Sequence, residues 1–243
     1  MKQLFAVPTI IICVALSACS GDKDEGGMTT PTSTPTPSPI VSSFDVTLVN
    51  ITHNQPLSPP VVVFHESEFT LWTIGESASA GLELLSEAGD ASLLVSENPM
   101  SVNMVGASVV APSDRVTIAI DLSENSFSDG TQIRLSLASM LVNTNDAFAG
   151  LTGVDISQLS VGDSLMLVAP IYDAGTEANS ETAATIPGPA AAGEGFNIER
   201  DDVNFVARHS GVVSLDDGLN GSILDQSHRF DNSAMRVIVT RTQ

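Results

Sequence analysis

Hydrophobic and polar residues alternate with a period of two in several short stretches of this chain. Phe44, Val46 and Leu48 are separated by Asp45, Thr47 and Val49, which predicts a half-buried strand ending at Asn50. The same alternation recurs at Val116, Ile118 and Ile120, and again at Ile133, Leu135 and Leu137. The polar, turn-forming segment 123–130 lies between those two, so they are expected to pair as a hairpin. Pro59-Pro60 introduce the β-branched run Val61-Val62-Val63-Phe64-His65, and residues 165–171 and 235–240 add further strand-like runs. Helical spacing is clear only over 77–88, where Ser77 can cap, Leu82, Leu84 and Leu85 form an apolar side and Gly89 can terminate. Short strands, long loops and one or two short helices predict a mainly β chain folded as an antiparallel β-sandwich. No internal repeat is visible, and residues 44–243 read as a single domain because the first and last strands both look necessary to one core.

The first 43 residues have a different character. Met1-Lys2-Gln3 is a short positive start, and the apolar run over 4–18 is too short for a permanent transmembrane helix, so residues 1–18 read as a signal peptide. The run ends in Leu16-Ser17-Ala18-Cys19, which resembles the lipobox of bacterial lipoproteins. That resemblance implies cleavage before Cys19 and lipidation of its thiol. Ser20 rather than Asp follows, which by resemblance to sorted lipoproteins implies the outer membrane of a bacterial envelope. Cys13 leaves with the signal, so the mature domain has neither a disulfide nor a cysteine nucleophile. Residues 19–43 alternate Thr and Pro from Pro31 to Pro39, which excludes helix and sheet and predicts an extended tether.

Composition narrows the function. Twenty-nine acidic side chains against nine basic ones leave a net charge of −20. Such a chain repels polyphosphate, which excludes nucleic acid as a partner, and only acyl chains on Cys19 can hold it to a membrane. At 42% hydrophobic residues it still has ample material for a core.

The polar chemistry gathers in loops. Asn143-Thr144-Asn145-Asp146 follows the strand near Val142, and Tyr172-Asp173-Ala174-Gly175-Thr176-Glu177 follows the apolar run ending at Ile171. Gly175 permits a tight bend that turns Asp173 and Glu177 to a common side. Asp146, Asp173 and Glu177, completed by carbonyls, are a donor set suited to Ca²⁺; equally, Asp146 and Asp173 have the positions of ordinary Asx turns. The acidic pairs Asp201-Asp202 and Asp216-Asp217 diverge in an extended chain, and solvated loops are expected there rather than a second tight site.

Taken in order, the blocks Phe44–Asn50, Gln55-Pro56-Leu57-Ser58-Pro59-Pro60, Gly75-Glu76-Ser77-Ala78-Ser79 leading to Gly89-Asp90, Ser139-Met140-Leu141-Val142 leading to Asp146, and Tyr172 to Glu177 resemble the spondin N-terminal domain in its bacterial versions, over essentially 44–241. The resemblance implies a C2-like β-sandwich, non-enzymatic, that serves adhesion to an extracellular or envelope protein or glycan. It also implies structural calcium on Asp146, Asp173 and Glu177. Glu177 stands where animal members have Asp, and the cysteines of those members are absent, so their disulfides and partner surfaces are not carried over.

A rival reading is an esterase. Gly162-Asp163-Ser164-Leu165 spells the nucleophile motif of a GDSL-type lipase family, and Asp225-Gln226-Ser227-His228 matches its acid and base spacing. That family is a layered α/β fold with its serine near the domain start, whereas here the motif is late and alternating helices are missing. His53, His65 and His209 show no ligand spacing and are expected to be hydrogen-bonded loop or strand-end residues.

Overall fold

The computed structural model describes residues 40–128 and 131–243. The expected signal peptide, lipidation site and tether therefore lie outside the described residues, apart from the last four tether positions. Those belong to the first strand, β1 (Ile40–Asn50), which starts ahead of Phe44. The remaining strands are β2 (Val61–His65), β3 (Val102–Val105), β4 (Arg115–Ser123), β5 (Arg134–Met140), β6 (Ala147–Asp155), β7 (Ser164–Asp173), β8 (Ala207–Arg208) and β9 (Ser233–Arg241). All pairings are antiparallel, in the order β3-β2-β5-β6-β7-β9-β1-β4, with β8 added to β7.

Strand β7 joins the two layers of the sandwich. Its Ser164–Pro170 stretch pairs with β9, and its last three residues pair with β6. Phe44, Val46 and Leu48 of β1, Ile118, Ile120 and Leu122 of β4 and Val237 and Val239 of β9 pack with Val62 and Phe64 of β2 and Leu135 and Leu137 of β5. This is the alternation the sequence displays, with one face of each strand in the core.

The unbroken Val61–His65 run has its own reason. Every residue of β2 is buried, because helices α1 (Ala80–Ala88) and α2 (Ser92–Glu97) cover its outer side. There Val61 and Val63 join a second cluster with Trp72, Leu82, Leu85, Leu94, Phe148 and Tyr172. A strand covered on both faces has no polar side to alternate with.

Two local expectations are corrected. The stretches around Ile118 and Leu135 do not form a hairpin: β4 pairs with β1, and β5 pairs with β2 and β6, so the intervening segment crosses between layers. The reason lies in the core, where the apolar faces of both strands meet across the interior instead of side by side. The helix is capped by Ser79, which accepts the Leu82 N–H, while Ser77 donates to the Asn204 carbonyl. Gly89 does terminate it, at φ 70°.

Candidate functional site

The register of β6 on β7 brings the two polar loops together. Ala147 pairs with Asp173 and Phe148 with Tyr172. Asp146, one residue before β6, therefore lies beside the end of β7, and its carbonyl accepts the Ala174 N–H at 3.3 Å. An aromatic trio locks this register: the ring centroid of Trp72 is 5.0 Å from Phe148 and 5.1 Å from Tyr172, and those two stack at 5.4 Å.

Gly175 makes the bend. It sits at φ 70°, and a Cβ there would lie 2.3 Å from the Phe205 carbonyl oxygen, so both the conformation and the space demand glycine. The bend turns the Thr176 and Glu177 N–H groups onto Asp146 Oδ2, at 2.8 and 3.2 Å. Asp173 makes the Asx turn, accepting the Gly175 N–H on Oδ1 at 2.8 Å, and its Oδ2 accepts from Asn179 at 2.7 Å. Asp146, Asp173 and Glu177 are all buried.

Three further side chains belong to this end of the molecule and were not picked out by the sequence reading. Glu87 of α1 and Glu181 are buried, and the buried His209 has its Nε2 4.0 Å from Asp173 Oδ2. Glu87 accepts the Asn197 N–H, and Glu181 accepts that of Val213. A signal for Glu87 existed: it shares with Glu83 the i, i+4 spacing on the helix that carries Leu82 and Leu85. No comparable signal marked Glu181, which packs here at a backbone φ of 56°, or His209.

The electrostatics are one-sided. Buried oxygens of Glu87 (Oε1), Asp146 (Oδ1), Glu177 (Oε2) and Glu181 (Oε2) have no hydrogen-bond partner. Burial first, then repulsion from Asp173, pushes Asp146 up to about 7. Burial, with repulsion from Glu87, Asp146 and Asp201, pushes Glu177 up to about 7, and burial with Asp173 does the same to Glu181. Glu83 shows the contrast. It receives Arg200 Nε on Oε1 at 2.9 Å and Nη2 on Oε2 at 2.6 Å. His209 does not supply a compensating charge, since burial lowers its affinity for a proton more than Asp173 raises it.

Hard oxygen donors buried without partners suit a hard divalent cation in chemical type. Among the described residues, however, no group of three or more His, Cys, Asp or Glu side chains is gathered tightly enough to hold a metal. Asp146 and Glu177 each present a free buried oxygen, whereas both Asp173 oxygens already accept hydrogen bonds.

The esterase constellation is divided between two ends of the sandwich. Ser164 pairs with Thr240, and its hydroxyl lies 2.8 Å from Thr240 Oγ1. His228 precedes Ser233, at the other end of β9, about 23 Å of strand away. The Asp225–His228 contact exists at 2.9 Å, but there it forms part of the cap of a short 3-10 turn. His65 ends β2 with both ring nitrogens 2.8 Å from oxygens of Glu66 and Ser136, as a strand-end residue should. Asp201, Asp216 and Asp217 are exposed; Asp201 still caps the site by accepting the Ala178 N–H.

The fold is an antiparallel sandwich with carboxylate-bearing loops gathered at one end. Residues 51–190 match the model of the spondin N-terminal domain (Spondin_N), which is more than half of the 243-residue chain, and the chain belongs to that family. The match is shorter than the 44–241 span suggested by the motifs: it begins just after β1 and stops before β8 and β9. No curated protein matches the chain. Spondin N-terminal domains are extracellular and generally non-enzymatic, and the family supports a ligand-binding or adhesion-type module.

Proposed function

We propose that the protein is a calcium-stabilised adhesion or ligand-binding module, tethered to a bacterial outer membrane by lipid on Cys19. Asp146, Asp173 and Glu177 would hold the ion, with backbone carbonyls or water completing the shell, and a protein or glycan of the envelope or outside it would be the partner. The observation that carries the reading is the unpartnered buried oxygens of Asp146 and Glu177, which make no ion pair with a Lys or Arg among the described residues. A bound divalent ion supplies positive charge and nothing more here. The chain's own residues do the rest: the Thr176 and Glu177 amides orient Asp146, the Asx turn orients Asp173, and the aromatic trio keeps the two strand ends in register.

The ion would be structural, ordering the loops for a partner. Calorimetric titration tests this: one tight calcium equivalent is expected, lost in Asp146→Asn/Glu177→Gln. No tight binding, two tight equivalents or an unaffected double variant would contradict the assignment. The anchor is tested separately by labelled fatty acid, which should enter the wild type and fail to enter Cys19→Ser.

A further inference from the structure

The end of the sandwich opposite the carboxylate loops contains a cleft of about 770 Å³. Strand register places it there. His65, in its wall, pairs with Arg134 at the start of β5, whereas Asn143 to Asp146 follow the end of that strand. Three segments form the cleft: 66–69 after β2, Glu97 at the end of α2 with 98–101, and 124–128 after β4.

These walls brace one another. The Ser128 N–H donates to Glu66 Oε1 at 3.1 Å. Glu97 accepts the Ser79 hydroxyl at 2.7 Å and the Gly81 N–H at 2.8 Å, tying the second wall to α1. The ring of Phe69 stands edge-on to His65, with centroids 4.6 Å apart. The volume falls within the several-hundred-Å³ range of small-molecule sites.

The lining combines apolar surface with negative charge. Phe69, Pro99, Met100 and Phe127 supply the apolar part, and Met100 is 88% exposed. Glu68 and Glu124 stand on different walls, exposed, and neither has a hydrogen bond or ion pair among the described residues. Among the described residues no Lys or Arg lines the cleft, and burial lowers the proton affinity of His65, so no described wall residue neutralises the two carboxylates. An anion is repelled here, and a bare metal ion leaves the apolar wall without a use. A ligand that matches both features carries separated positive charges on an apolar chain.

We infer that this cleft binds a linear aliphatic polyamine, its methylene chain against Phe69, Met100 and Phe127 and its ammonium groups at Glu68 and Glu124. The site is independent of the calcium reading, because it shares no residue with the carboxylate cluster. Calorimetric titration of the mature chain with spermidine, in 150 mM salt (about physiological ionic strength) and chelator, tests it.

One equivalent is expected, with affinity severalfold to about tenfold weaker in Glu68→Gln/Glu124→Gln and severalfold weaker in Met100→Ala, since the double variant removes both carboxylate partners at once and an exposed ion pair contributes modestly. Asp173→Asn should bind spermidine as wild type does. All three altered cleft side chains are exposed, and unchanged circular dichroism and melting would confirm that the variants fold. Absent binding, equal affinity in the double variant, or several weak equivalents that vanish with salt, as counterions around a −20 chain would, overturns the proposal.

Discussion

Between the layers, β1, β4, β5 and β9 direct Phe44, Leu48, Ile120, Leu137 and Val237 into one apolar cluster. At the loop end, the segments that follow β5 and β7 bury Asp146, Asp173, Glu177 and Glu181. Both regions are withdrawn from water, but with opposite consequences. Burying the first set releases about 25 cal/mol for each Å² of apolar surface. Burying the second costs free energy, because charge is expensive in a medium of low dielectric and Asp146, Glu177 and Glu181 each keep one oxygen with no hydrogen-bond partner. Glu83 marks what balance looks like, with Arg200 clasping both its oxygens; Glu87, one turn along the same helix, has one oxygen with no hydrogen-bond partner. The core is balanced by its own packing, whereas the loop end leaves buried carboxylate oxygens unmatched.

The largest effect that separates the two regions belongs to the core. Phe64 is fully buried against Phe44, with ring centroids 5.2 Å apart, so Phe64→Ala should cost about 3–5 kcal/mol. Denaturant melts should return the same loss in calcium and in chelator; a calcium-dependent loss would erase the distinction drawn between the regions. Gly175→Ala comes next. Its positive φ alone costs about 1–3 kcal/mol, and the added Cβ would displace the Phe205 backbone. Unlike the core variant, it should also shrink the calcium-dependent rise in melting temperature, because it moves the amides that hold Asp146.

A pH series tests the loop end without altering any residue. Asp146, Glu177 and Glu181 are pushed up to about 7, against ordinary values of 3.8 and 4.5. Between those limits these three carboxyls hold more protons in the folded chain than in the unfolded one, and they outweigh His65 and His209, whose lowered proton affinity acts the other way, so stability falls as pH rises and levels off above about 7. In chelator the melting temperature should therefore drop from pH 5 to pH 8. Calcium, competing with those protons, should flatten the curve. A chelated protein whose stability rises over that window would show that these carboxylates are not charged at a cost.

The contrast between the regions also explains what could be read from the sequence. Alternation at Phe44, Val46 and Leu48 and at Ile118 and Ile120 was legible because burial on one face of a strand writes itself with a period of two. Pairing was not: β4 and β5 both carry that pattern, and nothing local says whether two apolar faces lie side by side or meet across the core. Strand β6 was missed because Gly150 and Gly153 interrupt it, although Gly150 is needed where a Cβ would strike Trp72 and the Leu137 carbonyl. Asp146, Asp173 and Glu177 were visible as acids just past strand ends beside a bend-forming glycine. Glu87, Glu181 and His209 reach the same place from a helix and two long connections, and only tertiary packing assembles them.

The most direct measurement is thermal melting of wild type and Asp173→Asn, each in millimolar calcium and in chelator. At an ion concentration about 100 times the dissociation constant, binding to the folded state alone adds about 2.7 kcal/mol, or about 5–10 °C for a domain of this size. Wild type should show a rise of that order, and Asp173→Asn, nearly the same in shape but short of one ligand charge, should lose most of it. Equal melting of the wild type in both conditions, or the full rise retained in Asp173→Asn, would contradict the calcium site.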